Sequence, residues 1–407
     1  MTPYPRHGDP PLVSIVLPTY NRADTLPRAI DSVLTQHQQD WELLVVDDGS
    51  QDGSCAQVQA LAQGDPRIHL IRQANAGVAA ARNTGLAAAR GRFIAFLDSD
   101  DAWRPHFLSL TTAFLLAHPE AAWVSTAFEQ DCGNGEPIPL PQDSLRAYAA
   151  FARSIGSRRL ALPAGEQDDL LRAYPQREPL GDWAREALAQ AELTDTPHHL
   201  YHADLFEAMR WGYLGWLPAT VLTRPALASA GTFDTTLRSA SDFPFLARLA
   251  RHHRAHLIGV PSVTKHERAP SGRPLQQDHL ATGSNAYRFE VNKMAQFRRV
   301  FDGGFDRDPE LRRILCHYEL YAGLAALRAG LRESALRHLR AGARWQPHLR
   351  RGYAWLALAL LVPNGALAAR AAEAVLHGAD IAERLATGHT SLIDLGRKAT
   401  GWFSGEA

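Results

Sequence analysis

The sequence predicts an α/β fold, a mostly parallel sheet flanked by helices, with an inserted region and a C-terminal helical appendage. Three observations predict it. Short apolar runs alternate with segments of helical period from Leu12 to Thr126, polar residues cluster just after those runs, and beyond Ala286 the period is almost wholly helical.

Strands are expected at Leu12–Leu17, Leu43–Val46, Ile68–Ile71, Phe93–Leu97 and Ala122–Ser125. Between the first two, Leu26, Ala29, Ile30, Val33 and Leu34 recur at helical spacing. Asp24 and Thr25 precede them as caps, and Pro27 is tolerated in a first turn. A second helix follows Gln51-Asp52-Gly53, and a third, alanine-rich, runs from Val78 to Arg90 after Asn75-Ala76-Gly77. From about Asp131 to Gly215 the pattern dissolves into proline, charged and aromatic residues, which reads as an insertion rather than continued sheet. Order returns with a strand at Thr220–Thr223, then Gly231-Thr232-Phe233-Asp234, then a helix opened by Asp242 through Phe245, Leu246 and Leu249. Two regions result, 1–285 and 286–407. In the second, Tyr318–Ala343 and Arg351–Leu361 resemble tetratricopeptide-type hairpins, with Ala322, Leu324, Ala335, Leu336 and Leu339 at packing positions. One or two such pairs are too few for a free-standing solenoid, so they are expected to pack on the first region.

A chain of 407 residues can bury a large core. Lys+Arg and Asp+Glu both number 43, so no global field attracts nucleic acid or an anionic membrane. Cys55, Cys132 and Cys316 lack metal-ligand or pairing patterns, which fits a reducing compartment. Met1–Pro11 is polar and proline-rich and Leu12–Leu17 is short, so neither a signal peptide nor a span is expected and a cytoplasmic protein is. Tyr353–Val362, stopped by Pro363-Asn364-Gly365, is too short to span but suits peripheral contact with a membrane or a protein.

The most informative stretch is Phe93-Ile94-Ala95-Phe96-Leu97-Asp98-Ser99-Asp100-Asp101, an apolar run ending in three carboxylates. Like charges crowded at a strand end repel unless a cation neutralises them. A divalent metal shared with a diphosphate would do so, while a solvated, helix-capping loop is the plainer alternative. Polar residues also follow the first strand (Pro18-Thr19-Tyr20-Asn21) and the second (Asp47-Asp48-Gly49-Ser50), at the carboxyl edge where such sheets hold ligands.

Taken in order, Ser14–Arg22, Glu42–Gly53, Asn75-Ala76-Gly77 with Ala81-Arg82-Asn83, and Phe96–Asp101 resemble the family 2 glycosyltransferases of the GT-A fold, a Rossmann-like architecture. The likeness runs from Val13 to about Arg268. It implies that Pro18, Tyr20 and Asn21 border a nucleotide base and that Asp48 accepts from a base N–H. It also implies that Asn75 and Gly77 admit the ligand to the backbone and that Arg82 reaches the diphosphate. Asp98-Ser99-Asp100 becomes the metal-and-nucleotide motif, with Asp100 on Mn²⁺ or Mg²⁺ and Asp98 on the ribose or a metal-bound water. Asp101 is left to cap a helix near Pro105 or to support the site. His266 falls where related enzymes close a loop over the diphosphate and sometimes supply a metal ligand. The catalytic base aligns with Asp242, where Ser241 replaces the usual Glu.

The implied activity is inverting, metal-dependent transfer of a hexose from a nucleotide sugar, uridine-linked by expectation, to a hydroxyl of a glycan, lipid-linked or protein acceptor. Gln296–Val300 lacks the Trp of the processive motif, so single-sugar transfer is expected. Trp183, Trp211, Tyr213 and Trp216 are candidates either for stacking on acceptor rings or for core packing. A sugar nucleotidyltransferase would want a glycine- and lysine-rich loop after Leu17, and an oxidoreductase a Gly-x-Gly-x-x-Gly; neither is present. A degenerate binding or scaffolding protein of the same fold is the non-enzyme alternative, against which Asp98, Asp100 and Asp242 are intact.

Overall fold

The structure is a computed structural model that describes residues 9–133, 137–140, 142–154, 157, 160–162, 166–212, 214–237, 241–267 and 283–345. They fall into two compact units, 1–278 with 295–302, and 279–294 with 303–407.

The first unit runs β1 (Val13–Thr19), α1 (Leu26–Leu34), β2 (Trp41–Asp47), α2 (Ser54–Gly64), β3 (Ile68–Arg72), α3 (Val78–Ala88), β4 (Phe93–Phe96), β5 (Ala102–Trp103), α4 (Phe107–Ala117), β6 (Trp123–Asp131), β7 (Ile138–Leu140) and α5 (Gln142–Ser154). It continues with β8 (Gln176–Pro179), α6 (Arg185–Gln190), β9 (His199–Ala203), β10 (Thr220–Thr223), α7 (Leu227–Ala230), α8 (Asp242–His252) and β11 (Ala255–His266). Among the described residues the sheet has 11 strands in the order β3-β2-β1-β4-β10-β6-β11-β9-β8, with β5 on β11 and β7 on β6. Along that path only β10 and β9 run against the common direction. β1 and β2 are buried along their whole length, as strands covered on both faces must be.

Helices cover the sheet through apolar faces that the periodicity predicts. In α1 the residues Leu26, Ala29, Ile30 and Val33 are fully buried, each large one contributing about 1.5–3 kcal/mol relative to exposure. Helix α3 comes down on β1 because position 85 lacks a side chain: a Cβ on Gly85 would lie 2.4 Å from Cγ1 of Val16. Charge also enters the core, but paired. Glu42, 2% exposed, accepts from the Ser14 hydroxyl at 2.6 Å, the Arg90 amide at 2.8 Å and the Arg90 guanidinium at 3.0 Å. Glu42→Ala should therefore cost about 3–5 kcal/mol in urea unfolding, because the Arg90 and Ser14 donors lose a buried partner.

The sequence-based expectations depart from the structure at three places. β6 extends past Ser125 to Asp131, and the region 131–215 is no break in the sheet: β7, β8 and β9 all join it. These strands are only three to five residues long, β8 is polar at three of its four positions and β7 is broken by a proline, so no apolar run of strand length marks them. β11 was not anticipated, because its pairing with β6 shifts register between Ile258 and Val263, around Pro261, and a bulge there hides the alternation. The expected capping of the helix after Pro105 by Asp101 does not occur: His106 is the N-cap residue of α4.

The second unit contains the first part of α9 (Gly283–Val300, whose last six residues from Ala295 are counted with the first unit), α10 (Pro309–Arg328) and α11 (Arg332–Trp345). Asp308 caps α10 through the amides of Glu310 and Leu311. The α10–α11 hairpin buries Ala322, Leu324, Ala335 and Leu339, with Leu336 packed alongside, as the repeat-like spacing predicts. A Glu319–His338 pair at 2.7 Å lies within it. Arg351–Leu361 and Tyr353–Val362 lie outside the described residues. No described helix is long and apolar enough to cross a membrane.

Candidate active site

The carboxyl ends of β1, β2 and β4 lie side by side, since Thr19 pairs with Asp47 and Val16 with Phe96. Three polar loops therefore share one edge. At the first, Pro18 is buried, Tyr20 is 46% exposed and Asn21 takes a left-handed φ of 51°. Asn21 stitches the first two loops together: its amide donates to Ser50 at 2.9 Å, and its side chain accepts from the Gln51 amide at 2.8 Å.

Asp48, 3% exposed, accepts from Gln73 at 2.7 Å and from the amides of Ala76 at 2.9 Å and Gly77 at 2.8 Å. It thus fixes the loop that starts α3, with Asn75 exposed and Gly77 at φ 89° as the N-cap residue. With one donor on Oδ2, that oxygen keeps a lone pair for a ligand. Its neighbour Asp47 is fully buried, and its Oδ2 accepts no hydrogen bond, with Arg72 4.0 Å away. The sequence reading places Asp47 in the polar cluster after the second strand but gives it no role.

The carboxylates after β4 are held in a ring of arginines. Asp98 pairs with Arg82 at 2.7 Å, Asp100 lies 3.7 Å from Arg22, and Arg28 donates to the Asp100 carbonyl at 2.7 Å. Ser99 between them is buried. Arg22 and Arg28 carried no role in the sequence reading, although both stand just after the first strand. The arginines do not cancel the charge. Burial and then the Asp98 charge push the Asp100 carboxyl upward. Asp101, 4% exposed, is pushed well above the usual range by burial and then by Asp100 and Asp98.

His266 ends β11 opposite Asp131 of β6. Its ring Nδ1 lies 3.1 Å from the Asp131 carboxylate, and its amide donates to Asp101 at 3.2 Å. Burial and the Arg28 charge favour the neutral imidazole, with Asp131 opposing. The neighbouring Lys265 pairs with Glu267. Among the described residues no three His, Cys, Asp or Glu side chains are placed to hold a metal by themselves. What stands here is a crowd of carboxyl groups on one loop, whose burial and mutual repulsion are written into the raised Asp100 and Asp101.

Asp242 is the first residue of α8, after Ser241 as N-cap residue. The helix is locked to the acidic loop by an aromatic trio. Phe245, one turn on from Asp242, stacks on Phe233 with ring centroids 4.3 Å apart, and Phe96, two residues before Asp98, meets both edge-on at 5.3 and 6.0 Å. Arg82 lies 5.4 Å over the Phe233 ring while pairing with Asp98. Two of the aromatic candidates for stacking on an acceptor are buried, and a third, Trp183, is half-buried against the core. Trp211 and Trp216 are 2% and 7% exposed, Trp216 lies against Phe128, and Trp183 meets Phe114. Tyr213 lies outside the described residues.

Residues 14–160, which span this sheet edge and its acidic loop, match the family model "Glycosyl transferase family 2". Over that region the chain is similar to the family 2 glycosyltransferases. Among its relatives, the putative teichuronic acid biosynthesis glycosyltransferase TuaG of Bacillus subtilis is 38% identical over 31% of this chain and 51% of its own. The Escherichia coli protein named UDP-Glc:alpha-D-GlcNAc-diphosphoundecaprenol beta-1,3-glucosyltransferase WfgD is 47% identical over 26% of this chain and 41% of its own. The succinoglycan biosynthesis protein ExoO of Rhizobium meliloti is 40% identical over 40% and 43%. The chain thus spans about half the length of these relatives or less. A crystal structure of Staphylococcus aureus TarS 1-349 in complex with UDP-GlcNAc shares the fold at 15% identity, covering 90% of this chain and 92% of that one with a TM-score of 0.50.

Proposed function

We propose that the protein is an inverting, metal-dependent glycosyltransferase that moves a single hexose from a uridine-linked nucleotide sugar to a hydroxyl of a glycan or lipid-linked acceptor. The observation that carries this reading is the juxtaposition of the Asp98–Asp101 loop with the helix of Asp242 through Phe96, Phe233 and Phe245. The uridine donor and the lipid-linked acceptor are supported by the name of WfgD, and a polysaccharide setting by those of TuaG and ExoO.

Asp100 and Asp98 are the residues that would hold the ion, with diphosphate oxygens completing its shell, and Mn²⁺ or Mg²⁺ there would supply charge neutralisation for the departing diphosphate. The rest is done by the chain. Tyr20, with its exposed ring, offers a face to the base, and Asp48 an acceptor for its N–H. Arg82 keeps Asp98 oriented. Asp242 takes the proton from the acceptor hydroxyl as that oxygen bonds to the anomeric carbon and the bond from that carbon to the phosphate oxygen breaks. A single in-line displacement inverts the configuration.

Transfer of labelled sugar from a panel of nucleotide sugars to glycan and lipid-linked acceptors tests the proposal. Transfer from a UDP-sugar that requires Mn²⁺ or Mg²⁺ is the expected result; no transfer from any donor sinks it. Asp100→Asn is expected to remove the stabilisation that UDP with Mn²⁺ gives the wild type in thermal unfolding, about 2.7 kcal/mol at a hundredfold excess over Kd.

A further inference from the structure

Two residues outside the acidic loop hold the segment that leads into the helix of Asp242. The Asn83 side chain, on α3, makes both hydrogen bonds of its amide to one backbone position: it donates to the Phe233 carbonyl at 2.9 Å and accepts from the Phe233 amide at 2.8 Å. A main-chain unit met by a carboxamide in this way is fixed in position and in rotation, because both partners of the pair are matched. From the other side Arg299, in α9, pairs with the Asp234 carboxylate and donates to the Thr236 hydroxyl at 3.0 Å. Asp234 is held in turn, its Oδ1 accepting from the Thr236 amide at 2.9 Å and the Thr236 hydroxyl at 2.6 Å. The next residue of α3 back along the chain, Arg82, pairs with Asp98. Consecutive residues of one helix thus grip the acidic loop and the segment before α8.

We propose that Asn83 and Arg299 are positioning residues, which set the distance between the donor loop at Asp98–Asp100 and the base Asp242 by clamping Phe233 and Asp234. This rests on the reading of Asp242 as the base. Neither residue touches the reacting atoms; both act through the Phe233 ring stacked on Phe245. A displacement of order 1 Å in a base can cost about 100-fold in rate, which is the scale expected here. It also gives the arginine of Gln296-Phe297-Arg298-Arg299 a function without the Trp of the processive motif.

Asn83→Ala and Arg299→Met are measured separately, each with the number of nucleotide-binding sites counted by calorimetric titration with UDP and Mn²⁺, and kcat expressed per binding site. A merely structural role lowers the number of sites and leaves the rate per site alone. The expected result is a rate per site lowered about 10- to 100-fold, with the UDP dissociation constant within threefold of wild type. An unchanged rate per site in both variants overturns the clamp, as does a loss of UDP affinity equal to the loss of rate. If Asn83→Ala does not fold, Arg299→Met, a change at a partly exposed side chain that contacts the same segment from α9, decides alone. Wild type that binds UDP but transfers no sugar defeats the assignment of Asp242 instead, so the two failures are told apart.

Discussion

Asp242→Asn is expected to lower kcat by about 10²–10⁴-fold while leaving UDP affinity unchanged. The amide keeps the size of the side chain at the start of α8 but cannot take a proton. The Asp242 Oδ1 accepts from the Phe243 amide at 3.1 Å, a bond that an asparagine Oδ1 can keep, so little helix stability is lost. Loss of rate with intact nucleotide binding separates a base from a donor ligand. A parallel fall in both would assign Asp242 to the donor pocket, and an unchanged rate would remove it from the chemistry.

Acidification between pH 6.5 and 4 is expected to destabilise the fold through two histidines remote from the acidic loop. His106 and His256 are both lowered to about 4, first by burial. Arg104, His37 and His198 add to the effect at His106, which faces the Pro261 carbonyl, and His202, Arg254 and His118 add to it at His256. A depressed histidine contributes stability that is whole above the unfolded value near 6.5 and is lost as pH falls towards the folded one. Each is worth on the order of 3 kcal/mol by pH 4. Asp52, Asp65 and Asp169, whose values are lowered, fail only below the ordinary carboxylate range. Asp100 and Asp101, whose values are raised, act in the opposite sense and are left in place by the comparison. Urea unfolding at pH 7 and pH 4.5 of wild type and of His106→Gln/His256→Gln measures the slope; equal slopes would refute the assignment.

What the sequence made legible is what short-range pattern encodes. Val13–Thr19 and Thr220–Thr223 announce themselves as apolar runs, and Asp98, Asp100 and Asp242 stand at the ends or starts of such elements. Contacts between distant segments were not legible. Asn83 lies 150 residues from Phe233, and the Asp131–His266 contact joins two strands of which one was read short and the other not at all. The arginines around Asp100 were hidden for a related reason, because Arg22 and Arg28 look like ordinary loop and helix-surface charges until β1 and β4 are paired. Burial of Trp211 and Trp216 likewise follows from the packing of the region 131–215, which no local period displays.

Among the described residues the sheet stops on one side at β8, whose four residues are all exposed. Its sequence is Gln176-Arg177-Glu178-Pro179, two opposite charges followed by a residue with no N–H. A strand from another molecule that tried to extend the ladder there would meet a missing donor and would have to desolvate ionic side chains. A large open sheet can thus be kept at high concentration without accreting copies of itself along that rim, and replacing Pro179 and Arg177 by valine would remove the guard.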